Sequence, residues 1–234
     1  MKTAPQDNFL LGSLPKPARD ALSVSLKPVE LVREQVIYES GQLLQHVLFP
    51  TTSIISISYV LENDQSAEIG IVGNDGVVGI ALFMGGNSMP NRAVVRADGE
   101  GFQLDAADLR EEFAKAGKFH DLMLRYTQAL MTQMLQTSVC NSHHSIDRRL
   151  CRWLLLTLDR SRSSTIPTTQ ETVGRMLGVR REGITEAMGN LQAAGLIESR
   201  RGTLDVIDRQ GLEDRVCECY RVVRQETDRL FPSK

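Results

Sequence analysis

The sequence predicts an α+β protein built from three successive segments. Short runs in which apolar and polar residues alternate recur up to residue 116, which is typical of a sheet. Apolar residues then recur every three or four positions from 117 to 144 without a proline, which indicates one long helix. Helix-capping residues and turn glycines follow from 145 to 234. We therefore predict domains over residues 1–116, 117–144 and 145–234.

Composition places the chain among ordinary globular proteins, since 41% of its 234 residues are hydrophobic and 24% are charged. No apolar run approaches the ~18 residues of a membrane span. The first eight residues lack the apolar core of a secretion signal. We therefore expect a cytoplasmic protein whose four cysteines, at 140, 151, 217 and 219, are reduced.

Charge is distributed unevenly along the chain. Residues 1–144 contain 11 basic and 16 acidic residues, whereas residues 145–204 contain 10 basic and 6 acidic residues, a net charge of +4. A basic C-terminal part is compatible with a nucleic-acid partner. An ordinary solvated surface would explain the same numbers equally well.

In the first segment, strands are predicted where apolar and polar residues alternate in short runs bounded by turn residues. Ile55, Ile57 and Tyr59 alternate with polar or smaller residues, which indicates a strand with one buried face. Several such runs at short spacing predict a β-sandwich or β-barrel. Asp105 is a suitable N-cap for a short helix over 106–116.

The second segment is predicted to be a helix of roughly 40 Å. One stripe along it comprises Phe119, Met123, Tyr126, Leu130 and Met134, and further apolar residues lie on adjoining faces. A helix with this much apolar surface needs a partner, and a parallel helix from a second subunit would cover it. We therefore predict a homodimer through these five residues. The alternative is a helix buried inside one large domain.

The third segment contains the pattern of a helix-turn-helix. Thr168-Thr-Gln-Glu171 fits a capping box that opens a helix, and Gly178 follows where a turn needs positive φ. A second helix is predicted from 181 to 194, with Ile184, Met188 and Leu191 facing inward. Its polar outer face suits the major groove of DNA. A hairpin over 196–207 follows, and its basic tip suits a phosphate contact. The alternative is a plain three-helix subdomain with a hairpin.

The order of these segments resembles the Crp/Fnr family of bacterial transcription regulators. The resemblance is carried by Pro167–Met188 and by Gly195-Leu-Ile-Glu-Ser-Arg-Arg-Gly202, with Gly76–Phe83 and Arg92–Ala97 matching the ligand cassette. It implies an N-terminal β-roll, which is a cyclic-nucleotide-binding-like jelly roll, then a long dimerisation helix and a C-terminal winged helix-turn-helix. It further implies a homodimer on a palindromic site in double-stranded DNA, with RNA polymerase as a further partner.

The resemblance also assigns the DNA-reading residues. Arg181 and Glu182 keep an Arg-Glu pair of the family, whereas Arg180 replaces a serine and Glu186 replaces a second arginine. These changes predict a half-site that differs from the usual one of the family. The predicted DNA-binding residues are Thr169, Gln170, Arg180, Arg181, Glu182, Thr185, Glu186 and Arg201, of which Thr169, Gln170 and Arg201 would bind phosphates.

The effector pocket departs from that of the cyclic-AMP-binding members, which carry Gly-Glu-Leu and Arg-Ser-Ala. This chain has Gly79-Ile80-Ala81 and Asn91-Arg92-Ala93, so it lacks the carboxylate for the ribose and the arginine for the phosphate. We therefore predict an effector other than cyclic AMP, or none, and no cofactor. The corresponding pocket residues are Gly79, Ile80, Leu82, Asn91, Arg92, Met134 and Leu135. A pocket closed by side chains is the alternative.

Metal and enzyme functions are not predicted. Cys140 and His144 have a spacing that suits a metal, but Cys217 and Cys219 are two apart on a predicted helix and would point in different directions. Only His46 among the four histidines falls among the strands, which argues against a cupin-like metal enzyme. No P-loop, dinucleotide fingerprint or Ser-His-Asp order is present. The remaining alternative is a small-molecule-binding module that acts through a protein partner.

Overall fold

The computed structural model describes residues 3–63, 65–161 and 163–232. The chain forms two compact units, one of Met1–Ile57 with Val72–Gln128 and the other of Ser58–Ile71 with Ala129–Lys234. The chain passes between the units at 57/58, at 71/72 and inside the long helix at 128/129, and the predicted domain bounds stay a prediction.

Seven strands form the predicted sheet-rich part. One antiparallel sheet has the order β1-β7-β3 and the other has the order β2-β6-β4-β5. The strands are β1 (Lys27–Leu31), β2 (Val36–Tyr38), β3 (His46–Pro50), β4 (Ile54–Val60), β5 (Ser66–Val72), β6 (Arg92–Ala97) and β7 (Gly99–Asp105). The β3–β7 register runs from His46 opposite Asp105 to Pro50 opposite Gly101. Val47, Leu48 and Phe49 of β3 are fully buried, which places this sheet over the core of the first unit.

Strand β4 differs from its predicted pattern. Residues 54–58 are all buried, including Ser56 and Ser58, whereas Tyr59 is exposed. Both faces of the strand are therefore covered along most of its length. Alternation of apolar and polar residues indicated only one covered face, because serine is usually exposed, whereas Ser56 and Ser58 are buried here.

Three short helices accompany the sheets: α1 (Phe9–Gly12), α2 (Lys16–Ser23) and α3 (Ala106–Ala114). Asp105 occupies the N-cap position of α3 as predicted, but its side chain makes no capping hydrogen bond. Its carboxylate pairs with Lys27 instead. The helix ends two residues earlier than predicted.

The long helix α4 spans Lys118–His143, close to the predicted 117–144. Phe119, Met123, Tyr126 and Leu130 are buried within this chain, and Met134 is half-buried. Side chains that already fill the core of their own chain cannot also contact a second copy. The burial of four of the five residues within their own chain argues against a dimer contact through them, and the homodimer itself stays a prediction.

The exposed apolar residues of α4 are Leu124, Met131, Leu135 and Val139. At 100° per residue they lie within an arc of about 80°, on the side of the helix opposite the buried stripe. We call these four residues the outer stripe.

The C-terminal part consists of short helices and a small sheet. The helices are α5 (Ile146–Leu158), α6 (Gln170–Leu177), α7 (Arg181–Ala193), α8 (Arg209–Arg215) and α9 (Glu218–Leu230). Strands β8 (Thr165–Ile166), β9 (Ile197–Arg200) and β10 (Thr203–Val206) form a sheet with the order β8-β10-β9. The hairpin was predicted, whereas the two-residue strand β8 was not.

Leu150, Leu154 and Leu155 of α5 are fully buried and form the centre of the second unit. Trp153 of the same helix is also buried, and its Nε1 donates a hydrogen bond to Oε1 of Glu68 at 3.1 Å. Among the described residues, no helix has the length and apolar character required to cross a membrane.

Candidate nucleic-acid interface

Helix α6 begins one residue later than the predicted capping box requires. Thr169 is the N-cap residue, and its Oγ1 accepts a hydrogen bond from the backbone N–H of Thr172 at 3.1 Å. Thr168 is buried instead, and its hydroxyl has no partner among the residues that the structure describes. The capping box between Thr168 and Glu171 is therefore wrong, because either threonine can cap a helix and burial selects the second.

The turn between α6 and α7 is built on glycine. Gly178 has φ 62°, and the N–H of Val179 donates to the carbonyl oxygen of Gly174 at 3.0 Å. A Cβ on Gly174 would lie 3.5 Å from Cγ2 of Ile184, so the two helices pack closely at this point. The turn glycine predicted from the sequence is confirmed.

Helix α7 has one buried and one exposed face. Ile184, Met188 and Leu191 are buried as predicted. Arg181, Glu182, Thr185 and Glu186 are exposed, as is Arg180 at the N-cap position. The five side chains predicted to read bases therefore all reach solvent from the first two turns of this helix.

Contacts with neighbouring helices hold α7 in place. The Thr185 hydroxyl lies 3.2 Å from Oε1 of Gln170 and 2.9 Å from the carbonyl oxygen of Arg181, so it can donate to either. Nδ2 of Asn190 donates to Oδ2 of Asp147 in α5 at 3.1 Å. The predicted phosphate ligand Gln170 thus adjoins the predicted base-reading residue Thr185.

The turn of the β9–β10 hairpin contains an arginine, Arg201, without an internal partner in the described part of the chain. Arg200 pairs with Thr203 across the hairpin, Gly202 has φ 82°, and Arg201 is exposed. Arg200 is held by Glu198 at 3.1 Å and lies 3.6 Å from Asp205. Over the described ranges, the guanidinium groups of Arg180, Arg181 and Arg201 have no hydrogen-bond or ion-pair partner. Three exposed, unpaired cations, two at the start of α7 and one at the tip of the hairpin, are suited to phosphate and guanine contacts.

The predicted effector residues are mostly occupied by contacts within the chain. Gly79 has φ 99° and precedes a short helical turn, and Leu82 in that turn is buried. Asn91 is buried and its Oδ1 accepts a hydrogen bond from the Tyr38 hydroxyl at 2.7 Å. Nε of Arg92 lies 3.1 Å from a carboxylate oxygen of Glu39. Oδ1 of Asn91 therefore already accepts a hydrogen bond within the chain, and the carboxylate of Glu39 lies beside the guanidinium of Arg92.

A small cavity borders Gly79, the one predicted effector residue that lines it. Gly79, Tyr38 and His46 line a cavity of about 50 Å³, whereas ligand pockets generally measure ~300 Å³ or more. Of the other predicted pocket residues, Ile80 and Met134 are half-buried and Leu135 is exposed. The effector pocket and the alternative of a pocket closed by side chains both stay predictions.

A group of metal-ligating side chains was missed by the sequence analysis. Cys140, His144, Cys217 and Cys219 converge, although Cys217 and Cys219 were expected to diverge on one helix. Helix α9 begins only at Glu218, so Cys217 lies outside it and its side chain is free to turn toward Cys219. A hydrogen bond with Cys140 lowers the pKa of the Cys217 thiol, and burial raises the pKa of the Cys219 thiol. In the sequence, the two spacings that could have indicated this group are Cys-x3-His at 140 and 144 and Cys-x-Cys at 217 and 219.

A comparison with family models decides the nature of the C-terminal part. Residues 148–215 match the model of the Crp-like helix-turn-helix domain. The chain carries a Crp-like helix-turn-helix domain. Its α6, α7 and β9–β10 hairpin are the helix pair and the wing of that domain, and the interface described above is its exposed face. No curated protein matches the sequence.

Solved structures extend the similarity in fold beyond this domain, to 80–83% of the chain. FixK2 from Bradyrhizobium japonicum is 15% identical, with a TM-score of 0.67 over 82% of this chain and 98% of that one. A Crp-family transcriptional regulator from Thermus thermophilus is 15% identical, with a TM-score of 0.68 over 80% and 95%. The c-di-GMP-responsive regulator CLP from Xanthomonas campestris is 14% identical, with a TM-score of 0.65 over 83% and 100%. The chain therefore has the fold of Crp/Fnr-type transcription regulators, and the resemblance to that family is confirmed.

Proposed function

We propose that this protein is a homodimeric transcription regulator that binds a palindromic DNA site in a sequence-specific manner. The observation that carries the proposal is the exposed face of the Crp-like domain, where the unpaired Arg180 and Arg181 open α7 and the unpaired Arg201 ends the wing. Guanidinium groups without internal partners lose no ion pair when they contact DNA. Their net contribution to binding is therefore larger than that of arginines already neutralised within the protein.

The side chains divide into base-reading and phosphate-binding groups. Arg181 can donate to O6 and N7 of guanine, and Glu182 can accept from N4 of cytosine. Glu186 presents an acceptor where the family has a second arginine, so the half-site would place a cytosine or adenine donor there. Thr169 and Gln170 at the start of α6, together with Arg201, would bind the phosphate backbone.

The dimer would form through the outer stripe of α4. Leu124, Met131, Leu135 and Val139 recur at intervals of seven, four and four residues, which is the spacing of a helix seam. Apolar side chains in such a row gain free energy when a second helix covers them. Two copies related by a two-fold axis would present two α7 helices to successive turns of DNA.

We propose further that cyclic AMP is not the effector. Ile80 and Asn91 cannot supply the carboxylate and the cation that the cyclic-AMP-binding members use, and Nε of Arg92 lies 3.1 Å from a carboxylate oxygen of Glu39. A buried cyclic phosphate without a free cation would be unfavourable. Control of DNA binding would therefore come from a different signal, or the protein would bind DNA constitutively.

Selection of bound sequences from a random library of double-stranded DNA tests this function. We expect an enriched inverted repeat with half-sites one helical turn apart, and an affinity that falls steeply as salt is raised. Enrichment of a single half-site would contradict the dimeric mechanism. No enrichment, together with specific capture of one protein, would support the module that acts through a protein partner.

A further inference from the structure

Four metal-ligating side chains meet where the long helix ends and the last helix begins. Cys140 and His144 lie at the end of α4, and Cys217 and Cys219 lie at the start of α9. Their ligand atoms all lie within 4.8 Å of one another. Among the described residues, this is the one group of three or more such side chains close enough to share an ion.

We propose that Cys140, His144, Cys217 and Cys219 bind a single Zn²⁺ ion in a tetrahedral site. Ligands at 2.0–2.3 Å from a tetrahedral zinc ion lie about 3.3–3.8 Å from one another. Sγ of Cys140 lies 3.6 Å from Sγ of Cys217, and Sγ of Cys219 lies 3.6 Å from Nδ1 of His144. Both distances fall within that range, so only small side-chain shifts are needed to admit the ion.

The donor set selects the metal. Three thiolates and an imidazole are soft to borderline ligands that suit Zn²⁺ and disfavour Mg²⁺ or Ca²⁺. A multi-iron cluster would need its thiolates on different irons and therefore further apart. The three cysteines are buried and the chain itself fills all four positions, which leaves no position for a substrate. The site is therefore a closed, structural one.

Neighbouring groups are arranged to support such an ion. Nε2 of His144 lies 3.5 Å from a carboxylate oxygen of Glu218, which favours the tautomer whose Nδ1 lone pair faces the cysteines. Zinc with three thiolates carries one net negative charge. The buried guanidinium of Arg152, whose charge interacts with all three cysteines, can offset it while donating to Oγ1 of Thr137 at 2.8 Å. The ion binds all three cysteines as thiolates, so any proton that a thiol still carries is released to solvent.

The first experiment measures the metal content of the untagged, reduced protein. We expect about one zinc ion per chain, either as purified or after zinc is added to chelator-treated protein and the excess removed. Wild-type protein that retains no zinc and binds no added Zn²⁺ or Co²⁺ would overturn the proposal, whether or not it binds DNA. So would formation of a Cys140–Cys217 disulfide in protein that takes up no metal when reduced.

Matched variants identify the ligands. Cys219→Ser and His144→Ala should lose the bound zinc. Cys151→Ser and His143→Ala are the matched controls and should retain it, because neither residue belongs to the group: Cys151 is a buried cysteine elsewhere, and His143 is the sequence neighbour of His144. Equal loss in the Cys151→Ser variant would contradict the assignment. In case a ligand variant fails to fold, Co²⁺ in the wild-type protein supplies a second measurement. Its absorption should show thiolate-to-cobalt charge transfer and the strong visible bands of a tetrahedral ion, and weak octahedral bands would overturn the geometry.

Discussion

At the residue scale, an arginine's value to DNA binding depends on what else it contacts. Arg200 and Arg201 are adjacent at the wing, but only Arg200 has carboxylate partners, Glu198 and Asp205. The sequence alone could not separate them, because these ion pairs form only once β9 and β10 are paired. The two residues therefore make a matched test.

We predict that Arg201→Ala weakens DNA binding about equally for all sequences and reduces the salt dependence by about one phosphate contact. Arg200→Ala should leave the salt dependence nearly unchanged, because its charge is already offset within the hairpin. Fluorescence anisotropy over a series of salt concentrations measures both. Equal effects of the two substitutions on the salt dependence would show that the ion pairs of Arg200 do not make it a weaker DNA contact than Arg201.

Arg181 should determine one base. We predict that Arg181→Ala costs about 1–3 kcal/mol of discrimination at a single position of the half-site, because a bidentate contact with guanine is lost. Competition between the selected site and its single-base variants measures this loss. Unchanged affinity and unchanged base preference would place the recognition surface elsewhere.

At the element scale, the two adjacent threonines before α6 have opposite roles. We predict that Thr169→Ala destabilises the protein by about 1 kcal/mol, because the N–H of Thr172 loses its capping acceptor. Thr168→Val should be neutral or stabilising, since the buried hydroxyl of Thr168 makes no hydrogen bond within the described part of the chain. Urea denaturation gives the free energy of unfolding of each variant. A larger loss of stability in Thr168→Val than in Thr169→Ala would show that Thr168 is the capping residue.

The long helix offers a similar contrast between its two faces. Leu135 is 64% exposed in the outer stripe, whereas Leu130 is 3% exposed on the buried side. We predict that Leu135→Glu yields a folded monomer, because a charge in the seam opposes pairing, and that Leu130→Glu unfolds or destabilises the chain. Light scattering gives the mass and circular dichroism gives the helix content. A stable dimer of the Leu135→Glu variant would exclude the outer stripe as the interface.

Helix α4 also shows what periodicity can and cannot predict. Its length was predicted to within one residue at each end, since apolar spacing and the absence of proline are local properties. Which face of the helix packs against its own chain was not predicted. Phe119 and Leu124 are both apolar, and only the tertiary fold determines that Phe119 is buried and Leu124 exposed. The recognition helix was predicted more fully, because its turn glycine and its polar face lie within a few consecutive residues.

At the scale of the whole molecule, the order of sheet, long helix and winged domain was predictable from local pattern. The metal-ligating group was not, because 77 residues separate Cys140 from Cys217 and only folding brings them together. The assumption that Cys217 lay inside a helix also failed, since α9 begins one residue later. Long-range juxtaposition and helix boundaries are the two kinds of information that local spacing lacks.

The hydrogen bond between Trp153 and Glu68 has a practical consequence. The chain contains a single tryptophan, so all of its indole fluorescence arises from this one buried position on α5. Indole emission shifts to longer wavelength and changes in intensity when the ring meets water or loses a polar neighbour. Any signal, metal or DNA that moves α5 against β5 would therefore be visible in the emission of the unlabelled protein. The molecule contains its own optical probe, located within the Crp-like helix-turn-helix domain.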